Sequence, residues 1–266
     1  MSELQVLVAT MHQRDFSLVE KMNIRCDAVI ANQADRNSFD ALDTACGRAV
    51  MITTDTRGVG LNRNIALLAA DAELLLLADD DVVYNDDMPQ AVCAAFRENP
   101  QADVMIFGMD ILRNGVVSEK RHLPRKKRHV WDSLKFGTYT IAVRRKSILQ
   151  YNITFSQLFG GGCMYSAGED SLFLKACFDA GLKVYSHEYV LGTCCKDTST
   201  WFTGYGEKYF YDKGALVRHL FPKTCCLMAP YFAIRFKRET QVPVMKRLKL
   251  VYRGLRGSKT LQPYQE

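Results

Sequence analysis

The chain predicts a doubly wound, three-layer α/β fold with a mostly parallel central sheet. Short, almost wholly apolar runs alternate with amphipathic segments up to about residue 112. Strands covered by helices on both faces read as continuous apolar runs, and βαβα alternation is the pattern of a parallel sheet. Size agrees: 266 residues, 48% hydrophobic and 24% charged, suffice for one sizeable core.

In chain order, LQVLVAT (4–10), DAVIANQ (27–33), AVMITTD (49–55), ELLLLAD (73–79) and ADVMIFGM (102–109) are the expected strands. DFSLVEKMN, LNRNIALLAADA and MPQAVCAAFRENP are the helices between them. Periodicity weakens over 113–137, a basic, His-containing segment. TYTIAVRR (138–145) is expected to be a strand. After it come the glycine-rich FGGGCMYSAGED (159–170), a helix over SLFLKACFDAG (171–181) and a strand over KVYSHEYVLG (183–192). A short helical C-terminal region, aromatic and basic, is expected to follow.

Composition excludes several classes. No stretch of about twenty apolar residues predicts a transmembrane helix. MSELQVLVAT reads as an immediate first strand and not as a secretory leader, which predicts a cytoplasmic protein. Nine cysteines are an odd number, and adjacent pairs such as Cys194–Cys195 and Cys225–Cys226 do not match a paired C-x₂-C zinc site. Reduced thiols and no structural metal are therefore expected. The net charge of +6 is concentrated in KRHLPRKKRH (120–129) and in the tail 235–259. Such stretches suit an anionic partner or form a solvated surface. No nucleic-acid module accompanies them, so no nucleic acid is expected. The tail over 229–256 interleaves apolar and basic residues, a pattern for peripheral contact with an anionic membrane face or for a dimer contact.

The chemistry concentrates in ELLLLADDDVVYND (73–86), where three carboxylates follow a buried strand. In an open α/β sheet, ligands bind outside the carboxyl ends of the strands, where Asp79, Asp80 and Asp81 emerge. Strand alternation lets Asp79 and Asp81 face one way, a natural pair for Mg²⁺ or Mn²⁺. A solvated acidic turn is the plainer alternative. In TTDTRGVGLNRNIAL, Gly58 and Gly60 permit close backbone approach, and Arg63 is placed to meet a phosphate or the acidic residues. An ordinary turn also explains the glycines. In GGGCMYSAGED, Glu169 and Asp170 precede a helix, where Asp170 is either a cap or a base for an attacking hydroxyl.

The order RGVGLNRNIAL, LLLLADDD and, some ninety residues on, GGGCMYSAGED resembles the inverting glycosyltransferases of family 2, which have the GT-A fold. The similarity covers roughly residues 4 to 192. It implies a nucleotide-sugar-binding half over 1–112, an acceptor and catalytic half over 113–195, and a C-terminal extension over 196–266. By that resemblance Asp81 is the metal-contacting end of the DxD element, and Asp79 or Asp80 meets the ribose or uracil side. Arg63 and Asn64 match the helix-borne Arg-Asn, Asp170 matches the catalytic base with Glu169 beside it, and Thr10 lies where the nucleotide base packs. The usual acidic turn after the second strand is replaced by ANQADRNSFD, leaving Asn32 and Asp35 as candidates. The implied donor is a UDP-sugar with Mn²⁺ or Mg²⁺. The implied acceptor is a glycan or lipid-linked saccharide, as in bacterial surface polysaccharide synthesis. The Gln-x-x-Arg-Trp signature of processive members is absent, which points to transfer of a single sugar.

Trp201, within the aromatic stretch STWFTGYGEKYFY, is a candidate acceptor contact, although such clusters more often pack a helix on a sheet. His187 and His219 are candidate metal or phosphate contacts, against a structural role for each. Two rival functions share the layout. A sugar-1-phosphate nucleotidyltransferase would place its Gly-rich loop nearer the first strand, followed by Pro-Lys, and would release pyrophosphate. A catalytically silent carbohydrate- or sugar-nucleotide-binding subunit would have lost the triplet or the ED acid, and both are present.

Overall fold

The computed structural model describes residues 3–196, 204–235 and 240–265. The five expected N-terminal strands are present as β1 (Leu4–Met11), β2 (Asp27–Gln33), β4 (Gly47–Thr54), β5 (Leu74–Asp79) and β7 (Val104–Arg113). A strand the pattern did not reveal, β3 (Ser38–Thr44), runs antiparallel on β4 at the sheet edge. Its exposed polar alternation lacks the apolar run that marks the buried strands. The helices between are α1 (Ser17–Lys21), α2 (Val59–Ala69) and α3 (Met88–Glu98), with a short β6 (Val82–Tyr84) before α3.

Beyond residue 113 the weakly patterned basic segment forms β8 (Val116–Arg121), a hairpin partner of β7, and the two-residue β9 (Lys126–Lys127). The expected strand over 138–145 is shorter. A 3₁₀ turn occupies Thr138–Thr140, β10 is Ile141–Arg144, and Arg145 already opens helix α4 (Arg145–Gln150). Then come α5 (Glu169–Asp179) and β11 (Val184–Cys195), followed by helices α6 (Glu207–Leu220), α7 (Cys225–Arg235) and α8 (Val244–Gly257).

The sheet order is β3-β4-β2-β1-β5-β10-β7-β11-β6. Strands β4, β2, β1 and β5 are parallel, β10 lies antiparallel between β5 and β7, and β11 is parallel to β7. Both faces are covered: Val6, Val8, Leu74 and Leu76 enter one core, and Leu7, Val29, Leu75 and Leu77 the other. This two-sided burial is why these strands read as unbroken apolar runs. A third core, around Phe159, Tyr165, Phe210 and Leu250, joins the glycine-rich loop to the C-terminal helices. The chain leaves β4 on one side of β1 and returns as β5 on the other. The crevice between β1 and β5 is therefore the topological switch point, where doubly wound sheets bind ligands. Among the described residues, no helix is long and apolar enough to cross a membrane.

Candidate active site

Strand β5 stops at Asp79, whose register partner on β1 is Ala9, so the carboxylates open beside Thr10 at the switch point. Asp80 and Asp81 form the turn into β6. Side-chain alternation therefore does not extend past Asp79, and each acid finds a different neighbour. Arg63 Nη2 donates to Asp79 Oδ1 at 2.6 Å. Thr10 Oγ1 donates to Asp80 Oδ2 at 2.5 Å and accepts from Gln13 Nε2 at 2.9 Å. Asp81 accepts from the Cys194 thiol at 3.4 Å, and the Lys196 ammonium lies 3.8 Å away. Burial raises the Asp81 pKa, Lys196 opposes the rise, and Asp79 and Asp80 reinforce it.

Arg63 ties the triplet to the second acidic motif. Its Nη1 donates to Glu169 Oε1 at 2.8 Å, and its guanidinium lies over the Phe155 ring at 5.4 Å. Burial works against its charge, but Asp79 and Glu169 outweigh burial and raise its pKa. The two glycine motifs allow this closure. A Cβ on Gly60 would lie 2.0 Å from the Ser156 carbonyl oxygen, so the backbone that approaches α2 there is the chain's own. Gly168, at φ +119°, caps α5 where a Cβ would come within 2.5 Å of Leu216 Cδ1 on α6.

Asp170 follows Glu169 in the first turn of α5, and the Ser171 amide donates to its Oδ1 at 2.6 Å. Burial, then the Glu169 charge, raise its pKa to about 6, while Ser171, Arg63 and Lys213 pull it down. Lys213 on α6 is itself depressed by burial and held up by Asp170. A carboxyl whose pKa is raised toward neutrality has the property needed in a general base.

Other sequence candidates are committed to the scaffold. The buried Asn32 amide accepts from the Gln13 amide at 2.9 Å and donates to the Gln13 carbonyl at 3.0 Å and to Thr53 at 3.1 Å. Asn64 exchanges both its amide bonds with the Phe155 backbone, at 2.9 and 2.7 Å. Asp35 is exposed in the bend after β2. His187 packs on Phe107 and lies 3.7 Å from Glu98, and His219 meets Phe159 edge-on at 5.2 Å; neither touches the acidic triplet. Trp201 lies outside the described residues. Sequence reasoning missed Asn62, which donates to the carbonyls of Thr10 and Ala31 at 3.1 and 2.8 Å and so joins the ends of β1 and β2. It also missed Lys196 and Lys213, whose partners are remote in sequence.

The donor set fits a hard dication of the Mg²⁺ or Mn²⁺ type. Asp81 is a carboxylate destabilised by burial and by two like charges, and such a cation relieves that repulsion. Among the described residues no three His, Cys, Asp or Glu side chains converge as a ready metal cage.

The model of glycosyl transferase family 2 matches residues 17–155, just over half of the 266 residues. No curated protein matches the sequence. The crystal structure of S. aureus TarS 1–349 in complex with UDP-GlcNAc is similar in fold, with a TM-score of 0.63 and 12% identity. That similarity spans 99% of this chain and 93% of the other. The UDP complex of the same TarS segment gives a TM-score of 0.58 and 15% identity over 97% of this chain and 72% of that one. With the β1–β5 switch point, the acidic triplet and this family match together, the chain belongs to glycosyl transferase family 2 and has the GT-A fold.

Proposed function

We propose that the protein is an inverting glycosyltransferase that moves one sugar from a nucleoside-diphosphate sugar to a hydroxyl of a glycan or lipid-linked saccharide. The observation that carries this reading is the Arg63 bridge. One buried guanidinium holds Asp79 and Glu169 together, and Asp170 follows Glu169 in the first turn of α5. UDP is the first nucleotide to test, since the fold neighbour was crystallised with UDP-GlcNAc.

Asp170 accepts the proton of the acceptor hydroxyl. That oxygen forms the new bond at the anomeric carbon from the face opposite the leaving group, and the nucleoside diphosphate departs with the electron pair of the broken bond. Asp81, with the outer oxygen of Asp79, would hold the divalent cation, which supplies Lewis-acid neutralisation of the diphosphate. Arg63 is a positioning residue: it fixes both acidic motifs and so fixes the separation of donor and base. Asp80 and Thr10 line the crevice on the nucleotide side. Asn32 and Asn64 act indirectly, holding the loops after β1 and around Phe155, and Asp35 is left as the exposed acidic candidate for the nucleotide rim. In this reading residues 1–112 handle the donor, 113–195 the acceptor and the base, and 196–266 form an extension. The presence of both the triplet and the Glu169–Asp170 pair, joined through Arg63, favours catalysis over a silent binding subunit.

A cytoplasmic protein at the inner membrane face is part of the same proposal. Helix α7 exposes Leu227, Tyr231 and Ile234, and the basic α8 exposes Met245. Such a mixed surface suits the headgroup boundary of an anionic bilayer carrying a lipid-linked acceptor in surface polysaccharide synthesis.

The deciding experiment is calorimetric titration with UDP, GDP, CDP and dTDP, each with and without Mn²⁺, on wild type and Asp81→Ala. Metal-dependent binding of one nucleotide, lost in the variant, is the expected result. A folded protein that binds none of them overturns the donor assignment.

A further inference from the structure

A cavity of about 610 Å³ on the acceptor side has no part in the donor chemistry described above. Its cationic lining is Lys120, Arg121, Arg128, Lys135 and Arg235, against one acid, Glu119. A chain of contacts ties it to the carboxylates. Arg121 Nη1 donates to the Tyr139 hydroxyl at 3.1 Å, and Lys196, the neighbour of Asp81, lies over the same ring at 4.5 Å.

Arg121 is paired with Glu119 at 2.9 Å and Lys135 with Asp132 at 2.7 Å. Arg128 is different. It is 6% exposed, its Nε donates to Ser186 Oγ at 2.8 Å, and its guanidinium lies over the Phe136 ring at 5.1 Å. Its Nη2 is buried without a hydrogen-bond partner, and among the described residues no carboxylate lies within ion-pair distance. Burial pulls its pKa down, Asp132 acts on it only from beyond ion-pair distance, and an anion entering the cavity offsets the cost of that burial. At the same cavity Trp131 is 60% exposed and lies stacked on Phe221, with ring centroids 5.3 Å apart. It presents a rigid, flat, apolar face to the opening, the surface a sugar ring packs against.

We propose that this cavity holds an anionic group of the acceptor, a phosphate carried by the saccharide, with Arg128 as its principal contact and Trp131 beneath the adjoining sugar. The proposal rests on the glycosyltransferase reading and narrows its acceptor to a phosphate-bearing saccharide.

The chain has two tryptophans, so in Trp201→Phe the emission reports on Trp131 alone. That protein is titrated with glucose 6-phosphate, with glucose, and with phosphatidylglycerol vesicles. Glucose 6-phosphate is expected to change the emission saturably and glucose to need about tenfold more or fail. Adding Arg128→Gln is expected to weaken the sugar-phosphate response about tenfold or more. Adding the exposed change Lys120→Gln, which does not threaten folding, weakens it less. Equal responses to glucose and glucose 6-phosphate, or responses unchanged by both substitutions, overturn the proposal. A response to the vesicles with none to glucose 6-phosphate also overturns it, by making the cavity a lipid headgroup site. UDP with Mn²⁺, titrated calorimetrically on the same proteins, separates the two readings. Its binding is expected to survive Arg128→Gln, and its absence throughout counts against the donor reading while the sugar-phosphate result stands.

Discussion

The two sides of the crevice are built differently. At the carboxylate edge most polar groups answer one another: Arg63 is shared by Asp79 and Glu169, Thr10 serves Asp80, and Asn62 joins the ends of β1 and β2, which leaves Asp81 as the acid pressed by like charges. These groups stand on parallel strand ends and on α2, between two packed cores. Across the crevice, β8, Arg128 and the segment from Trp131 to Thr140 line a cavity rich in cations, and Arg128 has no ion-pair partner among the described residues. A site with satisfied internal charges is pre-organised before any ligand arrives, whereas one with unsatisfied charges leaves the ligand to complete it. Asp170 lies at the seam, with Arg63 on one side and Lys213 on the other.

Substitutions can break or sharpen this contrast. The largest effect is expected at the seam. Asp170→Asn should lower transfer about 10²–10⁴-fold while leaving nucleotide binding intact, as measured by turnover and calorimetry on the same preparation. Parallel loss of both properties would remove Asp170 from the role of base. Next comes Arg63→Met, which leaves Asp79 and Glu169 without their shared counter-charge. A loss of about 3–5 kcal/mol in denaturant unfolding is expected, far more than for Arg128→Gln across the crevice. Similar losses for the two would erase the distinction between a closed and an open side. Asp81→Ala should leave folding near wild type and weaken Mn²⁺-dependent nucleotide binding by about 10–100-fold.

The smallest effects are in pH dependence. A base must be ionised, so the rate at limiting substrate should rise with pH through about 6. Lys213→Met removes a cation that favours the Asp170 carboxylate, so the inflection should move to higher pH. A purely structural role for Lys213 would lower the rate at every pH and leave the inflection in place. Stability has the opposite sign. Because its pKa is raised from 3.8, folded Asp170 retains its proton between 3.8 and about 6 while the unfolded chain releases it. Its contribution is complete below that window and is lost as pH rises through it. Unfolding at a series of pH values should therefore show Asp170→Asn gaining on wild type as pH rises from about 4 to 6 and keeping that gain above, by about 3 kcal/mol at most.

Much of the carboxylate edge was legible in the sequence alone. Unbroken apolar runs located the parallel strands, and ELLLLAD ending in DDD placed acids at a strand terminus because a buried strand cannot continue through three carboxylates. Less was legible where polar side chains could turn either to a ligand or to the chain. Asn32 and Asn64 carry the same amides whether they bind a nucleotide or latch Gln13 and Phe155. The glycines of RGVG signalled close approach without saying that Ser156 is what approaches. The segment 113–137 resisted reading because its hairpin is exposed, and exposure removes the apolar period that marks a strand.

The sequence by itself determined the α/β class, the strand order in the chain, the position of both acidic motifs and the basic character of 120–129. These are local properties, recorded in the spacing of apolar and charged residues. Only the tertiary structure decided which charges meet. Arg63 and Glu169 are 106 positions apart, and the contacts of Asp81 with Cys194 and of Arg128 with Ser186 span 113 and 58 positions. No short-range period encodes such pairs, because they form when the sheet brings distant strand ends to one edge and burial makes each unpaired charge costly.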